Sequence, residues 1–284
     1  MLNILQEAQQ NKYAIGAFNV SNLEQLKAIA QAAKSLQSSV IISTSEGESK
    51  FIGKKQIRVL VNVFKEEIGV SMILHLDHGK SFESIKKAIE SGYDSVHFDG
   101  SELDFEENLK KTKEIVNFAK DNGIKNIEGE LGYLRGKSAL HEVIEITQDD
   151  LTDPKQALEF IEKTGIDSLA VAIGNIHGIV KNKNLKNPHL FLDRLEKIRK
   201  QIGDKAHLVL HGGSGTPEQD IKDAIKLGIV KVNINTELRI AYTESLKKSL
   251  KDNPEQTTPY KIMPFVVNEV QKVVEEKIKL FGGG

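Results

Sequence analysis

Short apolar segments alternate along the chain with longer amphipathic ones. Eight apolar runs rich in Val and Ile have the length of buried strands and are bounded by Gly, Ser, Asp or Asn. They predict strands at 14–20, 39–45, 71–77, 95–99, 126–131, 168–174, 207–211 and 230–235. Short runs of this kind that alternate with helices are typical of a parallel sheet covered on both faces.

Capping signals predict where several of the intervening helices begin. Ser81, Asp104, Asp153 and Thr216 each precede an amphipathic stretch, and a proline follows each of the last two. A side-chain oxygen before the first turn, or a proline within it, is typical of a helix start. A loop at 250–264 then leads to a last helix at roughly 261–280.

Eight strand–helix units predict an α/β fold, a closed (β/α)8 TIM barrel with an additional C-terminal helix. An open doubly wound sheet uses the same local pattern and is the alternative. Since no linker or low-complexity segment divides the chain, we expect a single domain over residues 1–284. The last helix lies beyond the eight units and could cover the barrel or meet a partner subunit.

The composition excludes several classes of protein and several kinds of catalytic site. The 39 basic and 40 acidic residues give a net charge of -1, which argues against a nucleic-acid binder driven by overall charge. The absence of Cys excludes disulfides, thiol catalysis and Cys-ligated zinc. With no apolar window of about 18 residues and no signal-peptide pattern, we expect a soluble, cytoplasmic protein that does not bind membranes.

Polar residues concentrate where the predicted strands end. Asp77 and His78 end the third strand, Asp99 the fourth, and Glu130 lies in the fifth. The other strands end near Asn19, Ser45, His177, His211 and the segment Asn233–Thr236. In a barrel these ends converge on one face, which is where such folds build their active sites.

Three histidines together favour a metal site. His78, His177 and His211 each stand beside a glycine at a strand end. Three neutral imidazoles can bind Zn²⁺ and leave a fourth position for substrate or water, although any one of them alone would more often be structural. The remaining histidines predicted to be structural are His97, His141, His189 and His207.

The carboxylates around these histidines leave alternatives open. Side chains alternate along a strand, so Asp77 and His78 cannot both enter the site unless the strand becomes irregular, which Gly79 permits. Asp77 could orient a metal-bound histidine or act as a general acid/base. Asp99 and Glu130 could bind a second cation or lie behind the ligands. His75 and Glu128 are predicted to line the barrel interior.

A glycine-rich loop suggests an anion site. Gly212-Gly213-Ser214-Gly215 follows the seventh strand and precedes a helix, and Asn233–Thr236 follows the eighth strand. Backbone N–H groups and a helix N-terminus bind anions, and the loops after strands 7 and 8 commonly bind phosphate in such barrels. A tight turn without a ligand is the alternative.

Six motifs together resemble the class II, metal-dependent ketose-bisphosphate aldolases, with the fructose-1,6-bisphosphate enzymes nearest. They are LHLDHG (74–79), FDGS (98–101), EGELG (128–132), IGNIHG (173–178), LHGGSG (210–215) and NINTE (233–237). The motifs follow the family's order, and the resemblance runs from AFNV (17–20) to the closing helix.

The resemblance implies a (β/α)8 barrel with a catalytic Zn²⁺ held by His78, His177 and His211, and with Asp77 as the catalytic acid. Asp99 and Glu130 match positions where a second divalent cation can bind, and the family often uses Na⁺ or K⁺ as well. The positions that match the substrate site are Asn19, Ser45, Gly178, Gly212, Gly213, Ser214, Asn233, Ile234, Asn235 and Thr236. The family typically forms homodimers or larger assemblies, so we expect a homodimer or homotetramer.

The implied reaction is the reversible aldol cleavage of a ketose bisphosphate to triose phosphates. Fructose 1,6-bisphosphate, which yields dihydroxyacetone phosphate and glyceraldehyde 3-phosphate, is the first candidate, and tagatose 1,6-bisphosphate is the second. A metal-dependent sugar-phosphate isomerase or epimerase is a rival of another class. A non-catalytic sugar-phosphate binder is a further rival, against which the intact Asp77 and histidine triad argue.

Two segments depart from the family pattern. The loop after the fifth strand reads Tyr133–Ser138 in place of the usual Gly-Gly followed by acidic residues, so the proton-exchange residue is unassigned. The segment Thr258–Lys261 lacks the arginine that can reach the substrate's second phosphate. Lys261 or Arg135 could substitute for it.

Overall fold

The computed structural model describes residues 1–181 and 187–283. These residues contain ten strands: β1 (Ile15–Asn19), β2 (Val40–Thr44), β3 (Met72–Gly79), β4 (Ser95–Phe98), β5 (Ile127–Leu131), β6 (Gly136–His141), β7 (Ser168–Val171), β8 (His177–Val180), β9 (His207–Leu210) and β10 (Ile229–Ile234). All except β6 and β8 form a closed parallel barrel, in which β1 pairs with both β2 and β10. The predicted closed barrel is therefore confirmed, and its eight strands are the eight predicted ones.

The described helices are α1 (Leu2–Asn11), α2 (Leu23–Leu36), α3 (Glu46–Ile52), α4 (Lys54–Ile68), α5 (Phe82–Glu90), α6 (Phe105–Asp121), α7 (Pro154–Thr164), α8 (Leu192–Ile202), α9 (Glu218–Lys226), α10 (Thr236–Asp252) and α11 (Pro259–Leu280). Ser81, Asp104 and Asp153 cap α5, α6 and α7 as predicted, because each side chain accepts a backbone N–H of the first turn.

Two local predictions were wrong. Thr216 does not cap α9, which begins behind Pro217 without a side-chain cap. The Thr216 hydroxyl instead donates to the Gly212 carbonyl at 3.0 Å, which holds the glycine-rich loop. The loop before the last helix is also shorter than 250–264, since α10 continues to Asp252 and α11 starts at Pro259.

The core has two parts. The larger lies between the barrel and its helices, where strand residues such as Ile42 and Leu74 pack against helix residues such as Ile29. The smaller lies inside the barrel near its N-terminal end, where Leu5 of α1 packs against residues that include Ile41. Each buried Leu or Ile side chain contributes about 1.5–3 kcal/mol. Helix α1 thus closes one end of the barrel and leaves the other end for the polar residues.

Two features lie outside the barrel. Strands β6 and β8 form a separate two-stranded parallel sheet, which the sequence did not predict. Helix α11 packs against α2 and α10, and its Lys277 pairs with Glu237 of α10 at 2.7 Å. Within the described ranges, none of the helices is both long enough and apolar enough to span a membrane.

Candidate active site

A small pocket that opens to solvent lies at the C-terminal ends of the barrel strands. It is lined by Asn19, Asp77, His78, Ser138, His177, Gly178, His211, Gly212, Ser214, Asn233, Asn235 and Thr236. Sequence reasoning selected all of these except Ser138, which β6 supplies. The other candidates, namely Ser45, Asp99, Glu130, Gly213 and Ile234, lie outside this lining.

Two of the predicted metal ligands face each other across the pocket. His78 Nε2 and His211 Nδ1 are 3.1 Å apart. The other ring nitrogen of each histidine contacts a carboxylate: His78 Nδ1 lies 2.7 Å from Asp99 Oδ2, and His211 Nε2 lies 2.7 Å from Glu128 Oε1. Each carboxylate accepts a hydrogen bond, so the ring nitrogen beside it carries the hydrogen. The two facing nitrogens, His78 Nε2 and His211 Nδ1, can then both present lone pairs.

This arrangement fits a zinc ion. Two facing lone pairs repel one another unless a cation or a proton lies between them. Two imidazole nitrogens bound tetrahedrally to Zn²⁺ at about 2.0–2.1 Å are roughly 3.3 Å apart. The observed 3.1 Å between His78 Nε2 and His211 Nδ1 is close to that value. Asp77 Oδ1 lies 3.9 Å from the first nitrogen and 3.8 Å from the second.

The third predicted ligand comes from outside the barrel. His177 begins β8, and its backbone N–H donates to the Arg135 carbonyl at 2.9 Å. Its ring centroid is 4.9 Å from that of His78. However, His177 is not in the group formed by Asp77, His78, His97 and His211, whose ligand atoms lie within 4.8 Å of one another. Metal binding by His177 therefore remains a prediction.

His97, which was predicted to be structural, belongs to this group. It is fully buried, and its Nδ1 accepts the backbone N–H of His78 at 3.2 Å. Its Nε2 lies 3.2 Å from Glu130 Oε2, and both atoms are without a hydrogen bond among the described residues. The available sequence signal was its position two residues before Asp99, on the same face of β4.

Asp99 and Glu130 also lie together with His78. Asp99 Oδ2 is 2.8 Å from Lys80 Nζ, and Asp99 Oδ1 accepts from the Ser101 hydroxyl at 2.6 Å. These contacts show Asp99 as an orienting partner of His78 whose charge Lys80 already balances. A second divalent cation at Asp99 and Glu130 remains a prediction.

The irregularity predicted near the end of the third strand is confirmed, and it lies at His78. This residue has a φ of 51°, and the pairing of β3 with β4 shifts register between Leu76 and Gly79. Left-handed backbone at a non-glycine residue costs about 1–3 kcal/mol and is typical of functional sites. It allows Asp77 and His78 to enter the same pocket from adjacent positions.

Asp77 is held by two amides. Asn19 Nδ2 donates to its Oδ2 at 2.9 Å, and Asn233 Nδ2 donates to its Oδ1 at 3.0 Å. Burial by itself raises the pKa of Asp77, but the basic groups around it, His78 first and Lys231 among them, outweigh that effect and hold the pKa below its usual value. Asp77 is therefore an ionised carboxylate that contacts the pocket.

The histidines respond differently to this environment. Burial by itself lowers the pKa of His78, but the surrounding carboxylates, with Asp77 the strongest, raise it to about 10. Burial, with the positive charges of His78 and His211, lowers the pKa of His177 to about 3. Without a metal ion, the surroundings therefore favour the protonated form of His78 and the neutral form of His177.

A buried ion pair lies beneath the pocket. Lys231 of β10 is fully buried, with its Nζ 2.7 Å from Glu128 Oε2 and 3.0 Å from His75 Nε2. His75 also contacts the Ser95 hydroxyl. Glu128 and His75 line the interior as predicted, but Lys231 was missed, although a lysine inside the apolar run VKVNI was a visible signal.

The predicted phosphate region is built from tightly packed loops. Gly178 has a φ of +89°, and a Cβ added to it would lie 2.2 Å from the Ala139 carbonyl oxygen. Gly212 has a φ of +63°, and a Cβ added to it would lie 2.1 Å from the Ile176 carbonyl oxygen. Asn187, which the sequence analysis did not select, donates to the carbonyls of Gly178 and Ser214 at 2.8 and 3.0 Å. It therefore joins β8 to the loop after β9.

The first turn of α10 faces this region. Thr236 is the first residue of that helix and lines the pocket. The Ser214 hydroxyl accepts the backbone N–H groups of Asn235 and Glu237 at 3.3 and 3.4 Å. The N-terminal end of a 17-residue helix therefore meets the glycine-rich loop, an arrangement that favours an anion.

A family model described as "Fructose-bisphosphate aldolase class-II" matches residues 1–284. The chain belongs to this family. It is 38% identical to a fructose-bisphosphate aldolase of Thermus caldophilus, over 99% of this chain and 97% of that protein. It is 36% identical to a sulfofructosephosphate aldolase of Alkalicoccus urumqiensis, over 98% and 94%. The crystal structure of the YdjI aldolase from Escherichia coli K12 aligns with a TM-score of 0.82 at 37% identity, covering 99% of this chain and 96% of that one.

Within this aldolase family, the two departures found in the sequence have structural consequences. Arg135 pairs with Asp150, with 2.7 Å between Arg135 Nε and Asp150 Oδ2. Lys261 is exposed in the first turn of α11. Neither side chain lines the pocket, so the described chain does not place either predicted substitute at the substrate.

Proposed function

We propose that this protein catalyses the zinc-dependent, reversible aldol cleavage of a ketose phosphate, with dihydroxyacetone phosphate as one product. The observation that carries the proposal is the pocket carboxylate of Asp77, held by Asn19 and Asn233 beside the facing nitrogens of His78 and His211. An ionised carboxylate next to a cation site suits proton transfer at an oxygen while a neighbouring carbonyl is polarised.

His78 and His211, with His177 by resemblance, would hold the zinc ion. When bound, the ion supplies Lewis-acid stabilisation of negative charge that develops on the substrate's ketone oxygen, a contribution of several kcal/mol. Asp99 and Glu128 orient the first two imidazoles through their outward nitrogens. The further divalent cation, the monovalent cation and the homo-oligomer implied by the resemblance belong to this proposal as predictions.

Asp77 carries the proton in the proposed reaction. In cleavage it removes the proton of the hydroxyl beside the breaking bond, the O–H electrons form the aldehyde C=O, and the C–C electrons remain on the three-carbon fragment. In condensation Asp77 returns that proton to the aldehyde oxygen. The amides of Asn19 and Asn233 fix its two oxygens, so the carboxylate is positioned before substrate arrives.

The near phosphate of the substrate would bind between the glycine-rich loop and the start of α10. Gly212, Ser214 and Thr236 line that side of the pocket. The helix N-terminus and the loop amides offer N–H donors to an anion. This contact would place the three-carbon half of the substrate against the histidines.

Fructose 1,6-bisphosphate, with glyceraldehyde 3-phosphate as the second product, is the substrate that the resemblance predicts first, followed by tagatose 1,6-bisphosphate. Relatives carry the names fructose-bisphosphate aldolase and sulfofructosephosphate aldolase, which supports aldol chemistry on more than one substrate. An isomerase or epimerase would release no triose phosphate. A coupled assay for dihydroxyacetone phosphate on a panel of ketose phosphates therefore separates these candidates.

The decisive variant is Asp77→Ala. We expect it to lower kcat by about 100-fold or more, the usual scale for losing a general acid or base, while zinc content is retained because the histidines are separate ligands. Asp167→Ala is the matched control, since Asp167 bonds the Ile127 N–H at the opposite end of the barrel. Loss of zinc together with activity in Asp77→Ala would show that Asp77 orients the metal ligands, and would contradict the acid/base role.

A further inference from the structure

Behind the side of the pocket nearest β1 and β2, outside the lining itself, lies a carboxylate that the proposed reaction does not use. Glu48 in the first turn of α3 is half-buried, and its Oε2 accepts Asn19 Nδ2 at 3.0 Å. The same oxygen accepts the Ser45 backbone N–H at 2.7 Å. Asn19 and Ser45 are two of the residues selected as substrate-binding, so Glu48 uses donors that would otherwise be available to a ligand.

Helix capping explains only part of this arrangement. Ser45 and Glu48 form a reciprocal capping box, in which the Glu48 N–H also donates to Ser45 Oγ at 3.3 Å. A capping box needs nothing beyond the helix end. The Glu48 carboxylate in addition contacts Asn19 of β1 and lies 3.4 Å from Asn235 Nδ2 at the end of β10. Both of these asparagines line the pocket.

The two oxygens of Asp77 have different neighbours, and Glu48 lies on the side of only one of them. Asp77 Oδ1 points towards Asn233 and the two facing histidines, on the side proposed for the ketone. Asp77 Oδ2 bonds Asn19 Nδ2, which in turn bonds Glu48. Glu48 therefore lies on the Asn19 side of Asp77, and we assign the aldehyde half of the substrate to that side.

No cation balances Glu48 at this side of the pocket in the part of the chain that the structure describes. The pocket lining contains no Lys or Arg. Three basic side chains around the pocket pair with carboxylates: Lys231 with Glu128, Lys80 with Asp99, and Arg135 with Asp150. Arg239 donates to the Ser138 carbonyl on the β6 side of the pocket, away from the β1 and β2 side. A phosphate at the far end of the substrate would therefore approach a carboxylate without a basic partner.

We infer that the preferred substrate is a ketose 1-phosphate whose far end carries hydroxyl groups and no phosphate, and that Glu48 determines this preference. The inference rests on the proposed function. The carboxylate can accept hydrogen bonds from sugar hydroxyls, whereas a phosphate dianion in its place meets like-charge repulsion and competes for the Asn19 and Ser45 donors. Fructose 1,6-bisphosphate would then be a poorer substrate than the resemblance of this chain to the aldolase family suggests.

The test compares kcat/KM for fructose 1,6-bisphosphate with that for fructose 1-phosphate, and likewise for the tagatose pair, in the zinc-loaded protein. Release of dihydroxyacetone phosphate is the readout for each substrate. We expect a bisphosphate-to-monophosphate ratio of about 1 or below in the unmodified protein. Glu48→Gln keeps a capping-box residue and removes the charge, so the ratio should rise by about tenfold.

The matched control is Glu46→Gln in the same helical turn. The Glu46 carboxylate accepts the Lys80 backbone N–H at 2.9 Å, whereas that of Glu48 contacts the pocket residues Asn19 and Asn235. Glu46→Gln changes the net charge by the same amount as Glu48→Gln. We expect it to leave the bisphosphate-to-monophosphate ratio within about twofold of that of the unmodified protein. A second readout avoids turnover: calorimetric titration with mannitol 1-phosphate and mannitol 1,6-bisphosphate, which lack the ketone. Glu48→Gln should tighten binding of the bisphosphate selectively.

The outcomes separate the inference from the function it rests on. A ratio of about 100 or more in the unmodified protein, unchanged by Glu48→Gln, would overturn the inference and show that a cation from elsewhere, such as a partner subunit, binds the far phosphate. The aldol reaction would then still stand, because dihydroxyacetone phosphate was released. Absence of that product from every ketose phosphate would overturn the proposed function and the inference with it.

Discussion

Replacing Lys231 with methionine tests how the buried charges beneath the pocket support both the fold and the metal site. Lys231 Nζ lies 2.7 Å from Glu128 Oε2, and both side chains are fully buried. Glu128 Oε1 in turn accepts His211 Nε2 at 2.7 Å. Lys231→Met leaves the Glu128 carboxylate buried without its cation, whereas the double variant Lys231→Met/Glu128→Gln removes both charges and keeps an acceptor for His211.

The two variants have different expected energies. Removing one partner of a buried ion pair costs about 3–5 kcal/mol, because the remaining charge is uncompensated. At about 2–4 °C per kcal/mol for a protein of this size class, Tm of the single variant should fall by at least about 6 °C. Neutral replacement of a whole buried pair is often close to neutral in stability. The double variant should therefore unfold near the wild-type temperature.

The double variant, which should keep its stability, should lose affinity for zinc. A carboxylate that accepts the outward N–H of a metal-bound histidine makes it a better ligand, and losing such a partner typically costs 10–100-fold in metal affinity. The double variant should thus fold well but bind zinc about 10-fold or more weakly, measured by competition with a chelating dye. Lys277→Met is the control, because Lys277 forms an ion pair of the same 2.7 Å length with Glu237, outside the barrel interior.

Either of two results would refute this reasoning. If Lys231→Met unfolds within about 2 °C of the wild type, the interior does not need the cation to balance Glu128. If the stable double variant binds zinc with unchanged affinity, the charge on Glu128 does not act on His211. Lys277→Met should leave zinc affinity unchanged, since its partner Glu237 bonds the Gly215 N–H and not a histidine of the pocket.

Three further predictions follow from the site. Chelation of zinc should abolish dihydroxyacetone phosphate release, and borohydride with substrate should trap no Schiff base; full turnover by demetallated protein would contradict the metal role. His211→Ala should weaken zinc binding in a direct titration far more than His207→Ala, because His207 lies at the start of β9 and contacts Gln9. Gly212→Ala should raise KM for 1-phosphorylated substrates by about tenfold or more, since its Cβ would meet the Ile176 carbonyl oxygen at 2.1 Å; an unchanged KM would place the phosphate elsewhere.

The local sequence was sufficient to predict the barrel. All eight barrel strands and the caps at Ser81, Asp104 and Asp153 are encoded within short segments, because alternation, capping and glycine stops act over a few residues. Since parallel strand ends converge on one face, the same reasoning placed nearly all of the pocket-lining residues. The Thr216 cap was wrong because that hydroxyl bonds a carbonyl of the preceding loop, a contact that propensity does not predict.

The tertiary structure decided which of these residues meet and what lies behind them. Residue alternation gives the face of a strand to which a side chain points, but only barrel closure and register bring His78 against His211, or Lys231 against Glu128 across the interior. The β6–β8 sheet that presents His177 pairs segments about 40 residues apart, and no local pattern encodes that pairing. The sequence by itself thus determined the barrel, the end of the barrel that carries the pocket, and the residue types gathered there. Folding decided their pairing and charge balance, because those depend on distances between residues far apart in the chain.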